Sequence, residues 1–545
     1  MRVTNLMMNS NMLNNINRNK EDLSKKFDQY ATGQKIQRPS EDPVIAVRSL
    51  KYRSQLTELE QYYGKNIPDA TSWMDITESA LDNMNSLLTN MNSYCVQGAT
   101  DTLEAEDRNS IAETLAQYKD QIYQCLNTDY AGRHVFAGYR TDTALLYEKE
   151  TIDTTYTIQE PLTQNNIDRI SYVTGGAEYE DNKTAEYYAD AARTPKLLET
   201  YRIRLAYGST DGLDKLTYID EAGTEQKLYD KVSGVASGFV FTTLKSTDTT
   251  ITNSTDTALI GESISSPYTV ASDNEIRYIE DTGELILGNN AFKVLNNSKS
   301  INVEYAKTTF NTGDLKPEFY YNCTATTYKM DGNGNYVVEN GKKVVERTVD
   351  YKAPSDQNIY YEINFGQNLK VNTMANETLD TTIGREIDEI LASITEVGAV
   401  EEKLANVELM MKDKTRTDLD ALAKLKEQIE TELTLKKTVM QEKFSKGITT
   451  TKTVQNGETY ITETGEKKQK GVSIAATSLG SRYKRLKLTE DRLLEQRTSF
   501  SELLNSNETV ELEDAIINYN SAQVTYNASL SAAGKVVQNT LLDFL

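Results

Sequence analysis

No proline follows Pro354 in this chain of 545 residues; all eight lie at or before it. Proline inside a helix costs about 3 kcal/mol, so the whole C-terminal stretch is open to long helices. Apolar spacing turns that permission into an expectation. From Leu512 the series Leu512, Ile516, Tyr519, Gln523, Tyr526, Leu530, Ala533, Val537, Thr540, Phe544 steps by four and three alternately, a heptad seam with Gln523 and Thr540 as polar members. Such a helix would run on the order of 50 Å.

The N-terminal third reads the same way. Leu13, Ile16, Leu23, Phe27 and Tyr30 share a helical face, and Gly33 suits the residue just past its end. Ser40 is expected to cap a second helix running to Gly64, with Glu41 and Asp42 in its first turn. A third is expected over about Asp69–Gln97 and a fourth over about Ala105–Ala131. Helices resume near Leu379, with Ile383, Ile387, Ile390 and Ile394 on one face. A longer one carries Leu422, Leu425, Ile429, Leu433 and Val439, and the last before Leu512 spans about Val472 to Leu504.

Between these helical ends the composition changes. Residues 145–370 hold 20 of the 33 tyrosines, with threonine runs and many turn pairs. Tyr328–Met330 and Tyr336–Val338 flank Asp331-Gly332-Asn333-Gly334-Asn335, and Asn340-Gly341 follows, the pattern of strands joined by tight turns. Asn456-Gly457 marks a further hairpin among the later helices. The expected fold is α+β: a long coiled-coil helical core from both ends of the chain, with β-rich outer domains inserted. The expected divisions are an assembly helix over 1–40, helical core over 41–145, β-rich outer domains over 146–370, core again over 371–505 with a hairpin near 447–471, and a terminal assembly helix over 506–545.

Charge and reactive residues exclude much. The net charge of −22 argues against general nucleic-acid binding and against docking on anionic membrane. One histidine, His134, leaves no imidazole cluster for a metal and no zinc-protease motif. Cys95, Cys125 and Cys323 share no metal-ligand spacing and cannot all pair, so no disulfide framework is expected. No stretch reaches the roughly 18 apolar residues of a membrane span, and the first residues lack the apolar run of a Sec signal. No nucleophile–base pair is evident. No catalysis, cofactor or metal is expected.

The chain's two ends are also unusual. Residues 516–545 carry only Lys535 and Asp543 as charges, while residues 1–20 contain no acid and seven asparagines. Asparagine is a weak helix former, so these segments are expected to order only against a partner surface. An intramolecular bundle would satisfy the same pattern.

Three segments carry a family resemblance. Ala31-Thr32-Gly33-Gln34-Lys35-Ile36-Gln37-Arg38-Pro39-Ser40-Glu41-Asp42-Pro43 resembles the N-terminal turn of the flagellin superfamily, in the Arg-Pro-Ser-acidic-Asp-Pro form of its hook–filament junction branch. Asp129-Tyr130-Ala131-Gly132-Arg133-His134-Val135-Phe136-Ala137-Gly138 is similar to that branch's Gly-Arg-aromatic-hydrophobic-Phe-x-Gly segment, with His134 where Tyr is common. Leu541-Leu542-Asp543-Phe544-Leu545 is similar to its ending. The resemblance covers about residues 1–145 and 375–545.

It implies a structural subunit without enzymatic activity, exported through the flagellar type III channel to the outside of the cell. Its partners would be further copies of itself in a ring, the hook-proximal junction protein, flagellin and a flagellar export chaperone, with neither nucleic acid nor membrane insertion. Assembly would rest on Leu6, Leu13, Ile16, Leu23 and Phe27 at one end. At the other it would rest on Tyr519, Tyr526, Leu530, Val537, Leu541, Phe544 and Leu545. Arg38, Pro39, Asp42 and Pro43 are either a subunit contact or simply a helix-start turn. The alternatives are a filament-forming flagellin, or an adhesin or glycan-binding module within 146–370. Asp331, Asn333 and Asn335 imitate a calcium loop, but Tyr336 and Lys342 stand where such a loop needs Gly and Glu, which favours a plain hairpin turn.

Overall fold

The computed structural model describes residues 5–100, 103–190, 193–332, 334–413, 416–446, 451–455, 458–462 and 464–542. Among them run the helices α1 (Asn5–Thr32), α2 (Pro43–Gln61), α3 (Ile67–Gly98), α4 (Ala105–Leu126), α5 (Ala185–Tyr188), α6 (Asn289–Asn296), α7 (Ala375–Thr378), α8 (Thr382–Met411), α9 (Leu419–Lys446), α10 (Thr464–Glu508) and α11 (Leu512–Leu542). The fold is α+β, with helices at both ends of the chain and a β-rich middle. The chain divides into two compact units: Met1–Ser72 with Tyr360–Leu369 and Arg482–Leu545, and Trp73–Ile359 with Lys370–Ser481.

Local chemistry explains the helix boundaries, including two the sequence pattern misplaced. Gly33 closes α1 with a left-handed φ of 70°. The cap of α2 is Asp42, not Ser40: one Asp42 carboxylate oxygen accepts from the N–H groups of Val44 and Ile45, and Pro43 takes the first helical position, where its missing N–H costs nothing. Gly64 does not end this helix. It stays right-handed inside a single π-turn over Tyr62–Asn66, which absorbs one extra residue and passes the chain directly into α3.

In the second unit the helices bury one face each. On α3 that face is Trp73, Leu81, Met84, Leu88, Met91 and Cys95, and on α4 it is Ile111, Leu115 and Ile122. The approach is close enough that a Cβ on Gly98 would lie 2.4 Å from the Phe444 ring. The antiparallel pair α8–α9 packs through Val400, Val407, Leu422, Leu425 and Ile429, covered by Tyr188 of α5. Arg108 of α4 binds Glu401 of α8 at 2.6 Å.

The middle forms two sheets over a common core. The antiparallel seven-stranded sheet runs in the order Val345–Tyr351, Asn322–Tyr328, Thr154–Leu162, Ser300–Lys307, Gly212–Ile219, Glu225–Asp230, Gly234–Val235. The six-stranded sheet runs Asn253–Ser254, Val240–Leu244, Glu275–Ile279, Glu284–Leu287, Lys196–Arg204, Ile167–Thr174, with one parallel pair between its second and third strands. Ile158, Leu216, Leu285, Ile301 and Val303 fill the space between, with Tyr278, Tyr305 and Phe310. Several tyrosines of this region are therefore core residues: Tyr147 stacks on Phe310 at 4.7 Å, and Tyr156 meets the same ring edge-on. Asn340 and Gly341 both take positive φ, as a two-residue hairpin demands. Asn333 lies outside the described residues, and the Asp331 carboxylate accepts from the Asn335 N–H as a turn residue does. The pair Asn456-Gly457 also lies outside them, between antiparallel strands Thr451–Gln455 and Glu458–Thr462.

Two buried polar arrangements tie this unit together. Arg202, almost fully buried, binds Glu284 at 2.7 Å and Glu389 of α8 at 3.0 Å, and Arg204 reaches the other Glu389 oxygen at 2.6 Å. The surrounding guanidinium and ammonium charges outweigh burial and hold Glu389 well below the ordinary carboxylate range. Glu160 has no such partner. Its carboxyl accepts from the Ala206 N–H and the Tyr305 hydroxyl, both at 3.0 Å, and burial raises its pKa to about 7.

Candidate assembly interface

The first unit places the chain's extremes side by side. Gln34 bridges Thr509, the Lys35 N–H donates to the Glu508 carbonyl at 2.7 Å, and the Val510 N–H donates to the Gly33 carbonyl at 2.9 Å. From that corner α1 and α11 run alongside each other in opposite directions. Phe27 and Tyr30 both rest on Tyr519, ring centres 5.7 and 5.9 Å away.

The two helices meet along heptad stripes. On α1 the half-buried positions are Asn9, Met12, Ile16, Asn19, Leu23, Lys26 and Gln29; on α11 the covered positions are Ala515, Tyr519, Ala522, Tyr526, Ser529 and Ala533. Tyr519, Tyr526 and Ala533 belong to the seam expected from sequence, but Leu512, Ile516, Gln523 and Leu530 do not. The observed stripe is turned by one position, so that Ala515, Ala522 and Ser529, seven residues apart, let the backbones approach. Large apolar side chains are left outside as a result: Leu512, Ile516 and Leu530 flank the seam, while Ile517 and Val524 sit on the side of α11 turned away from α1, 65% and 67% exposed.

Of the residues expected to assemble, Ile16 and Leu23 therefore lie on the seam, and Leu13 and Phe27 are about half exposed. Leu6, Val537 and Leu541 fall within α1 and α11, with side chains outside the described residues, as Phe544 and Leu545 are entirely. Arg38 and Pro39 border a groove of about 230 Å³ with Ile36, Leu50, Arg53 and Glu508, and Val44, Val47 and Leu50 are exposed on α2. Asp42 and Pro43 start α2, as described. The clamp at this corner was not evident in sequence. Asn507 donates to the Ile45 carbonyl at 3.0 Å and to the Ser49 hydroxyl at 2.8 Å, and the Arg53 guanidinium pairs with Glu508, holding that carboxyl below its usual range. A hairpin over residues 360–370 joins the same unit. The Asn66 side chain donates to the Glu362 carbonyl at 2.8 Å, and Phe365 at the hairpin tip is 80% exposed.

The arrangement offers apolar stripes and a clamped corner and brings no catalytic group to them; among the described residues no cluster of side chains could hold a metal ion. Residues 3–141 match the family model of the bacterial flagellin N-terminal helical region. The chain is similar to flagellar hook-associated protein 3 of Escherichia coli (strain K12), 30% identical over 151 residues, which is 28% of this chain and 47% of that protein. It is also similar to the flagellin of Clostridium tyrobutyricum, 34% identical over 124 residues, covering 23% of this chain and 32% of the relative. The chain thus spans about half the length of the E. coli relative it matches. A crystal structure of hook-associated protein 3 from Legionella pneumophila aligns over 84% of this chain and 98% of its own at 10% identity, with a TM-score of 0.27, too loose a superposition to bear on function.

Proposed function

We propose that the chain is a non-enzymatic structural subunit of the bacterial flagellum, located at the junction between hook and filament. It would assemble through its terminal helices. The observation that carries this reading is the division of labour on α11. Small residues face α1, and Ile517 and Val524, with Ile516 and Leu530 beside them, are left for neighbours. A lone pair of helices with an uncovered apolar face gains stability by burying that face, at about 25 cal/mol per Å². Charge-poor flanks make such burial cheap in desolvation.

On this reading the partners are further copies of the chain, the hook-proximal junction protein and flagellin, with an export chaperone holding the terminal helix beforehand. Export would proceed without a Sec signal. On this reading Ile16, Leu23, Tyr519 and Tyr526 pair the two helices, and the residues taken to contact neighbours are Leu13 and Phe27 on α1 and Leu530, Ile517 and Val524 on α11, with Arg38 and Pro39 at the corner. A filament-forming flagellin is the second reading, favoured by the 34% identity to the clostridial flagellin. Immunogold electron microscopy with an antibody against residues 145–370 separates the two. A single band between hook and filament is expected; label along the whole filament would establish the flagellin reading, and unlabelled flagella would remove both.

A further inference from the structure

A second feature, far from the terminal helices in sequence, concerns buried charge. In the second unit a cavity of about 200 Å³ lies between α4, the first turn of α8 and the strand ends near residues 206–209 and 307–315. Lys307 lines it and is only 5% exposed; its ammonium lies 5.0 Å from the centre of the Phe310 ring and forms no ion pair among the described residues. It donates to the carbonyls of Gly208 at 2.7 Å and Ser209 at 3.3 Å, two of its three donors. Arg385 lines it as well. Its guanidinium donates to the Thr282 carbonyl and forms no ion pair among the described residues, and its Nε is enclosed without a hydrogen-bond partner.

Buried lysines and arginines are almost always paired, because an uncompensated charge in a low-dielectric site costs several kcal/mol. The nearby acids do not meet the need. Asp388 is taken by Lys119 at 2.6 Å, and the Asp314 carboxylate accepts from the Asn311 N–H at 2.8 Å. Counting Lys119, Lys307 and Arg385 against Asp314 and Asp388, the lining carries one positive charge in excess in a chain whose total is −22. Thr381 and Gly384 at the start of α8 border the cavity too, although the Asp380 carboxylate already accepts from the Thr382 N–H at 3.3 Å, so that helix end is not open to a ligand. Burial, and after it the neighbouring Arg204, hold Arg385 below the ordinary arginine range against the opposing pull of Glu284 and Asp388.

We propose that this cavity is a binding site for one small oxyanion, of phosphate or carboxylate chemistry, held by Lys307 and Arg385. The anion would join α8 to the Ala206–Ser209 segment and stabilise the unit with the logarithm of its concentration once that exceeds the dissociation constant.

Isothermal titration of the full chain with inorganic phosphate, and separately with acetate, at constant ionic strength tests this. One saturable site is expected, and which anion fills it tells phosphate from carboxylate recognition. Affinity should fall by about tenfold or more in Arg385→Gln, since charge-assisted hydrogen bonds to such a group dominate its binding. Lys307→Gln is the second variant, for use where Arg385→Gln does not fold, and the same loss is expected. No saturable binding of either anion, or equal binding by wild type and a folded variant, overturns the proposal.

Discussion

The guanidinium of Arg53 grips the carboxylate of Glu508 with two parallel hydrogen bonds, Nε to Oε1 at 2.9 Å and Nη2 to Oε2 at 2.8 Å, across 455 positions of sequence. Arg53 is 61% exposed, so water and salt screen the pair. Beside it, Asn507 makes its two bonds from a half-buried position.

The neighbouring amide should therefore matter more than the ion pair. Asn507→Ala is expected to cost about 1–2 kcal/mol by leaving the Ile45 carbonyl and the Ser49 hydroxyl without their donor. Arg53→Met should cost less than about 1 kcal/mol, and less still in high salt. Urea denaturation of both variants at low and high salt decides the order; a larger loss for Arg53→Met would refute it.

Substitutions on opposite sides of α11 should separate pairing from assembly. Ala522→Leu overfills the seam against α1 and is expected to weaken the helix pair by about 1–3 kcal/mol. Val524→Asp leaves that seam untouched and should preserve helicity while abolishing self-association. Circular dichroism with sedimentation velocity reads both. Unchanged association in Val524→Asp would mean that this face stays in solvent.

Glu160 gives the β-rich unit a particular pH response. Its folded pKa of about 7 lies above the ordinary 4.5, so between those values the folded state holds a proton that the unfolded chain has released. Stability from this group hence rises as the pH falls from 7 towards 4.5, by about 1.4 kcal/mol per unit at most, and is lost above 7. Unfolding midpoints compared between pH 5 and pH 7.5 should show that gain in the wild type and a smaller one in Glu160→Gln. Matching pH slopes would count against it.

Gly98 is predicted to resist substitution. Alanine there would gain up to about 1 kcal/mol of helix propensity. The new methyl would meet the buried Phe444 ring, and overpacking of this kind costs about 1–3 kcal/mol. A net loss in thermal stability for Gly98→Ala is expected, whereas a gain would show that the ring can move aside.

Helix positions were the most legible feature of the sequence, because a 3.6-residue period survives almost any partner. Ile383, Ile387, Ile390 and Ile394 on α8 and the buried leucines of α9 follow from spacing alone. Boundaries were harder. Asp42 and Ser40 are both competent caps, and the choice between them was made by Pro43, whose ring fits only the first helical position there. Gly64 reads as a stop until a π-turn carries the helix through it. On α11 the pattern of large apolar residues pointed one position away from the actual seam. The signal that could have found it was the repeat of Ala515, Ala522 and Ser529 at intervals of seven, which marks close helix approach rather than hydrophobicity. The contacts of Arg53, Asn507 and Lys35 had no sequence signal, since nothing local links positions so far apart.

That separation also sets an order of events. Joining two points 455 positions apart in a flexible chain costs about 5 kcal/mol of loop-closure entropy, whereas the α8–α9 hairpin closes a connection of only a few residues. Local pairs form early and distant ones late. The corner made by Gly33, Gln34 and Val510 is thus among the last contacts a newly extended chain can make. While the residues between are unfolded, that entropy opposes the pairing of α1 with α11.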